Sequence, residues 1–98
     1  MSLKEFTLDW RGETLRGELR TYPHIGNPAL QLYDEDGLPY ATASVNPAHP
    51  LPAGLIAIKD YAENNSLLTA LEEAGVVART DQVVAVGYTC AHLCRVLI

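Results

Sequence analysis

Two runs near the N-terminus alternate apolar and polar side chains. They cover residues 6–10 and 15–20, and Arg11-Gly12 lies between them. A period of two is typical of a strand with one face on a core, and a turn containing glycine between two such runs predicts a β-hairpin. The chain is therefore expected to begin with a pair of antiparallel strands.

The pattern predicts several more short strands. Residues 29–33 and 40–45 flank the turn Asp34-Glu35-Asp36-Gly37, in which Gly37 suits a positive φ, so they form a second hairpin. A proline-rich loop follows, because proline interrupts ladder hydrogen bonding. Additional strands are predicted at residues 55–58, 76–77, 82–86 and 88–97.

One segment has helical periodicity. Asp60 is a suitable N-cap, Glu63 completes a capping box, Asn64-Asn65 offers another start, and Gly75 suits the position after the helix. The apolar positions are Leu67, Leu68, Leu71 and Ala74. These patterns predict an α+β fold with a mostly antiparallel sheet of about five to seven short strands and one helix, about residues 61–74, packed on one face.

Length and composition point to one ordinary globular domain. The chain has 98 residues, of which 48% are hydrophobic and 19% charged. We expect residues 1–98 to form a single domain. No apolar run approaches the ~18–20 residues that span a bilayer, and residues 1–5 do not resemble a signal peptide. These features predict a cytoplasmic protein with no membrane partner, whose two cysteines are thiols.

The negative charge is concentrated in the middle of the sequence. The chain has a formal charge of −5, and residues 34–73 contain seven acidic residues against Lys59 alone. Such a segment repels the phosphates of nucleic acids and attracts a basic protein, so no direct nucleic-acid binding is expected. The alternative is that the acidic side chains only keep the protein soluble.

Tyrosines and acidic residues together suggest a binding patch. Tyrosine combines apolar area with a polar tip and is frequent at protein interfaces. Half-buried strand positions are the alternative explanation for these tyrosines. The residues predicted to contact a protein partner are Tyr33, Asp34, Glu35, Asp36, Tyr40, Asp60 and Glu63.

The segment Cys90-Ala91-His92-Leu93-Cys94 is the strongest candidate for chemistry. On a helix the two thiols would be neighbours and could hold a metal. On a strand they lie about 13 Å apart at ~3.3 Å per residue, too far for one ion or a disulfide. The apolar flanks favour a strand, and no nucleotide, hydrolase or zincin motif occurs. We therefore expect no metal, no cofactor and no enzymatic activity. A small enzyme that uses one of these thiols with His92 remains the alternative.

Three groups of residues carry a family likeness: Asp60-Tyr61-Ala62-Glu63-Asn64 with Leu68, Leu71 and Glu73-Ala74-Gly75-Val76; Leu30-Gln31-Leu32 with Asp36-Gly37-Leu38-Pro39-Tyr40-Ala41-Thr42 and Val45-Asn46; and Cys94-Arg95-Val96-Leu97. Together they resemble a family of small domains of unknown function carried on bacterial phages, plasmids and conjugative elements. The likeness spans roughly residues 13–97. The resemblance implies a mobile-element accessory protein. Many such short acidic proteins inhibit host defences, including CRISPR effectors, by covering a basic nucleic-acid channel.

The leading hypothesis is therefore a non-catalytic protein-binding module, of the anti-defence (anti-CRISPR-like) kind. It would present its acidic segment to a basic surface of its partner. The alternative is a structural or regulatory accessory domain without an inhibitor role, homodimeric through an uncovered sheet edge.

Overall fold

The computed structural model describes residues 4–23, 25–60 and 66–98, and these form seven strands and one helix. In chain order the elements are β1 Lys4–Trp10, β2 Glu13–Thr21, β3 Pro28–Tyr33, β4 Pro39–Thr42, β5 Leu55–Ile58, α1 Leu67–Glu73, β6 Val77–Val86 and β7 Thr89–Val96. The predicted α+β class and the antiparallel strands are confirmed. Residues 76–77 and 82–86, predicted as separate strands, belong largely to the single strand β6.

The strands divide into two antiparallel sheets. Sheet A has the order β1-β2-β3-β4, and sheet B has the order β5-β7-β6. The segment after β4 joins them, since Ser44 bridges to Ile58 and the amide of Lys59 donates to the carbonyl of Ala43. The strand pattern alone does not reveal this division, because each strand alternates in the same way in one sheet or in two.

One hydrophobic core lies between the two sheets and the helix. Helix α1 contacts β1 of sheet A and β6 of sheet B, so it packs against both sheets. The largest fully buried side chains come from all three layers: Leu8, Leu15, Leu30, Leu32, Ile56, Ile58, Leu67, Leu68, Leu71, Val76 and Val77.

Sheet A begins with a tight hairpin and a close aromatic contact. The turn residues Arg11 and Gly12 have φ of 54° and 78°, as a two-residue turn of type I′ requires. Gly17 lies opposite Phe6, whose ring packs directly over it and occupies the space that a Cβ at position 17 would need. Glycine at this position therefore makes room for the aromatic ring.

Within the described residues the helix begins at Leu67, and Asp60 contacts it from outside; residues 61–65 of the predicted helix, which include Asn64 and Asn65, lie outside the described residues. Ser66 precedes the helix with a left-handed φ of 75° and makes no side-chain cap. The carboxylate of Asp60 instead accepts a hydrogen bond from the Leu68 amide at 3.1 Å. Tertiary folding thus brings a predicted capping residue to the helix start. The other predicted capping residue, Glu63, lies outside the described residues.

The end of the helix is as predicted. Gly75 has φ of 76°, its amide donates to the carbonyl of Glu72, and the amide of Val76 donates to the carbonyl of Leu71. These two bonds form a Schellman motif, which satisfies the last carbonyls of the helix.

A buried asparagine holds the proline-rich loop between β4 and β5. Asn27 is 3% exposed, and its side chain bonds to Asn46, to the carbonyl of His49 and to the amide of Leu51. Because one side chain meets three loop residues, this loop is tied to the residue that immediately precedes β3.

Candidate functional site

The two turns of sheet A lie at the same end of the sheet. β1 to β4 form an antiparallel meander, so the turn after β1 and the turn after β3 are adjacent. We call this surface the acidic end and define it by Glu13, Asp34, Glu35, Asp36, Leu38 and Tyr40. It holds four carboxylates and two apolar side chains, and Arg11 in the neighbouring turn is the nearest base along the chain.

Asp34 has a structural role within the acidic end. Its Oδ1 accepts hydrogen bonds from the amides of Asp36 and Leu38, each at 3.0 Å. Gly37 has φ of 81°, the positive value predicted for this turn. The Asp34 carboxylate therefore shapes the turn, and the carboxylates of Glu35 and Asp36 are left exposed at its tip.

Tyr40 joins the two turns. Its hydroxyl donates to Glu13 Oε2, and its ring makes an edge contact with Trp10 at 6.2 Å between centroids. The hydrogen bond to Glu13 raises the pKa of the Tyr40 phenol, with desolvation acting in the same direction. The guanidinium of Arg11 lies 4.3 Å from the centre of the Trp10 ring. These contacts fix the aromatic part of the acidic end on the core of the protein.

Exposed apolar surface accompanies the acids. Leu38 is 60% exposed and Tyr40 is 38% exposed. A shallow cavity beside them is lined by Gly12, Glu13, Thr14 and Glu35. Apolar side chains surrounded by charge are the usual anatomy of a protein-binding surface.

Tyr33 lies on the opposite face of sheet A from Tyr40. It pairs with Arg16, whose guanidinium lies 4.7 Å from the centre of the Tyr33 ring, whereas Tyr40 packs on Trp10 at the core side. The two predicted tyrosines therefore do not share one face, although both flank the acidic turn.

The face that carries Tyr33 has its own charge cluster. Glu18 is 6% exposed on this outer face, and it accepts hydrogen bonds from Arg16 and from Arg20. The hydrogen bond from Arg16 lowers the pKa of Glu18, and Arg20 acts in the same direction against desolvation. Arg16 also pairs with Glu5 at 3.5 Å, so two guanidinium groups face two carboxylates and the cluster offers little net attraction to a charged ligand.

The remaining predicted contact residues are not brought to the acidic end. Asp60 follows β5 of sheet B, and its carboxylate serves the start of helix α1. Glu63 lies outside the described residues. The structure thus groups Asp34, Glu35, Asp36 and Tyr40, and it adds Glu13 and Leu38 to them.

Sequence reasoning missed Glu13 and Leu38 for a definable reason. Glu13 is distant from the acidic segment along the chain and belongs to a stretch whose charges balance. Only the meander places it beside Tyr40. Leu38 follows the glycine of the turn, and that position, next to Gly37, was a signal for exposure that could have been used.

The two cysteines lie on an extended strand, as predicted. Both belong to β7, where Cys90 is exposed and Cys94 is buried. Burial raises the pKa of the Cys94 thiol to about 11, so this thiol is protonated at neutral pH. Within residues 4–23, 25–60 and 66–98, no group of three or more histidine, cysteine or acidic side chains could hold a metal ion. The prediction that the chain is not an enzyme stays a prediction.

Among the helical residues that the structure describes, none belong to a helix with the length and apolar character needed to cross a bilayer.

Comparison with known proteins adds no further constraint. No family model matches the sequence, and neither a curated protein nor a solved structure shows significant similarity to the chain. The resemblance to small mobile-element domains therefore stays a prediction.

Proposed function

We propose that this chain is a non-catalytic protein-binding module whose acidic end docks on a basic surface of a partner protein. The observation that carries the proposal is the joining of four carboxylates to an exposed leucine and tyrosine at one end of sheet A. Apolar side chains supply contact area, and the surrounding charge selects the sign of the partner.

The internal contacts of the acidic end favour binding. Tyr40 is held between Glu13 and Trp10, and Asp34 fixes the turn that carries Glu35 and Asp36. Side chains that are already positioned lose less conformational freedom on association. A partner therefore meets a largely preformed surface.

The chemistry of the partner follows from the charge. The acidic end repels phosphate backbones and attracts clustered lysine and arginine. The basic channel of a nucleic-acid-binding protein offers such a cluster. With the family resemblance described above, this leads us to propose an anti-defence role in the cytoplasm, in which the module blocks the channel of a host defence protein.

Comparative capture from a bacterial lysate tests the proposal. The variant Glu35→Lys/Asp36→Lys reverses two exposed charges of the acidic end. The control Glu73→Lys/Asp81→Lys makes the same change in net charge at exposed positions elsewhere. We expect the unmodified protein and the control to retain the same basic protein, and the acidic-end variant to lose it.

Salt supplies a second readout. The captured protein should elute as salt rises toward 1 M, where the Debye length falls to about 3 Å and charges no longer attract at a distance. Capture that is unchanged by the reversal, or unaffected by salt, contradicts the proposal. The anti-defence role additionally requires that the unmodified module lowers nucleic-acid binding by the captured protein.

A further inference from the structure

The edges of the two sheets differ in how they are protected. At β5, the amide of Val45 donates to the carbonyl of Ala57, and Ser44 bridges to Ile58, so the segment after β4 covers that edge. β1 is contacted by helix α1 and carries charged residues, and β4 is short and begins with Pro39. Charges, proline and short length are the usual defences of an edge strand.

β6 is the remaining edge, and only its first half is covered. β6 is the outer strand of sheet B, and the amide of Arg79 at its start donates to the carboxylate of Glu72 on the helix. A bulge between Arg79 and Val83 separates this half from residues 82–86. Among the described strands, none pairs with the outer side of residues 82–86. We call this segment the open edge.

The open edge has no charged residue to discourage pairing. The sequence from Gln82 to Ala91, which includes the hairpin turn and the facing part of β7, contains no acidic or basic side chain. Val83 is 58% exposed, and Ala85 and Cys90 on the same side of the hairpin are also exposed. An apolar, uncharged edge strand is a template for a further strand.

The hairpin turn determines which backbone groups point outward. Val86 and Thr89 flank the two-residue turn Gly87-Tyr88, and such flanking residues exchange hydrogen bonds with each other. The hydrogen-bonded pairs then alternate, so Val84 bonds to Ala91. The N–H and C=O groups of Val83 and Ala85 therefore point away from β7, toward the open edge.

We infer that two copies of this chain pair antiparallel through the open edge, with Val83 of each copy opposite Ala85 of the other. Both residues present outward donors and acceptors, so this register satisfies them reciprocally. Val84 meets Val84 of the second copy at the two-fold axis. Sheet B becomes one continuous sheet of six strands across the dimer.

The absence of charge on the open edge favours a second copy of this chain as the molecule that pairs with it. The chain carries −5, so association of two copies is least opposed where the contact brings no further like charges close together, and the open edge is such a surface. In the inferred register Asp81 lies opposite Gly87 of the second copy, so no acidic residue faces another. A basic partner would find no charge there to attract it.

The contact is short, and the dimer is therefore expected to be weak. A single strand edge buries less than the roughly 800 Å² per partner of a standard interface, as weak and transient complexes do. Sedimentation of the unmodified protein from about 1 µM to about 1 mM should show a monomer converting to a dimer. A single monomeric species over this range overturns the inference.

Hydrogen exchange locates the contact without any substitution. The amides of Val83 and Ala85 should exchange rapidly at low protein concentration and more slowly at high concentration, because pairing buries them. The amide of Val84, which bonds within the hairpin, should depend much less on concentration. Equal behaviour of all three amides in a concentration-dependent dimer overturns the inferred edge.

Two variants test the edge further. Ala85→Pro removes an outward N–H while sparing the ladder with β7, and Val83→Lys places like charges near the two-fold axis. Each should weaken the dimer at least tenfold, whereas Leu38→Lys, at an exposed apolar position of sheet A, should leave it intact. If Ala85→Pro fails to fold, Val83→Lys decides the question. A dimer that survives Val83→Lys contradicts the inference.

This inference does not rest on the proposed function. The open edge and the acidic end share no residue, so dimerisation can fail while partner capture persists, and the reverse is also possible.

Discussion

Sheet A and sheet B use charge in opposite ways. The outer face of sheet A holds Glu18 between Arg16 and Arg20, and its turns collect further carboxylates at the acidic end. The hairpin of sheet B is uncharged from Gln82 to Ala91 and exposes Val83. The same antiparallel geometry therefore presents one acidic surface and one uncharged, partly apolar edge.

The two sheets also differ in how their edge strands are protected against pairing with another strand. Charge on β1, proline at the start of β4 and the covering segment at β5 leave little for another strand to pair with. On β6 the last charged residue is Asp81, and residues 82–86 have neither charge, proline nor a covering segment among the described residues. If both proposals hold, this arrangement keeps the partner-binding surface and the dimer edge on different sheets.

The largest effect is expected from filling the space above Gly17 in sheet A. Gly17→Ala places a methyl group where the Phe6 ring lies, and we expect a loss of roughly 1–3 kcal/mol in the free energy of unfolding from overpacking. Urea denaturation measures this loss. Sheet B has no glycine covered by an aromatic ring in the described residues, so the sensitivity belongs to sheet A.

The same substitution in a Phe6→Ala background provides the control. Without the ring, the added methyl group meets no obstacle, and alanine is favoured over glycine within a strand. Gly17→Ala should then become neutral or stabilising. A loss of stability that persists without the ring would show that backbone conformation, and not the Phe6 contact, requires glycine.

The protein should lose stability at alkaline pH because the thiol of Cys94 in sheet B is buried. Its thiol has a pKa of about 11 in the folded protein against 9.0 as the ordinary value. Above pH 9 the unfolded chain releases the proton first and binds fewer protons than the folded protein, so the free energy of unfolding falls as pH rises from 9 toward 11. Chemical denaturation at several pH values measures the slope.

Cys94→Ala isolates this contribution. The pKa of Tyr40 is also raised, so some alkaline loss remains in every variant. We expect the alanine variant to be less stable at neutral pH but to have a shallower decline above pH 9. If the free energy of unfolding declines equally steeply above pH 9 in both proteins, the buried thiol does not cause the alkaline loss of stability.

The protein should lose less stability at acid pH, where Glu18 of sheet A becomes protonated. Its pKa is lowered, chiefly by the hydrogen bond from Arg16, so its contribution is present above the ordinary value of 4.5 and is lost as pH falls through the lower folded value. Glu18→Gln should lower the melting temperature at neutral pH and flatten its decline in acid.

Glu35→Gln is the matched control for Glu18, because its carboxylate lies exposed at the turn of the same sheet. It should change the melting temperature little at any pH. The pKa of Glu72 is lowered by Arg79, so a residual acid dependence remains in both variants. An acid profile that is identical for both variants would contradict the special role of Glu18.

The local signals of the sequence were sufficient for most of the elements. Alternation predicted the first hairpin, the glycine at position 37 predicted the turn with positive φ, and Gly75 predicted the end of the helix. Each of these features depends on neighbours along the chain. Backbone geometry and the period of apolar side chains are sufficient to determine them.

The start of the helix shows where local reasoning stops. Asp60 was predicted as an adjacent cap, yet it reaches the Leu68 amide across an intervening segment. A carboxylate can satisfy a helix amide wherever the fold places it, and sequence spacing does not record that distance.

By itself, the sequence determined the fold class, the strand segments, the acidic turn and the extended form of the thiol segment, because each follows from periodicity or from short-range backbone preference. Tertiary structure alone decided the division into two sheets, the meeting of Glu13 with Tyr40, the placing of the two tyrosines on opposite faces, and the position of β6 at an edge. These depend on which strands become neighbours, and alternation is the same whichever neighbour a strand acquires.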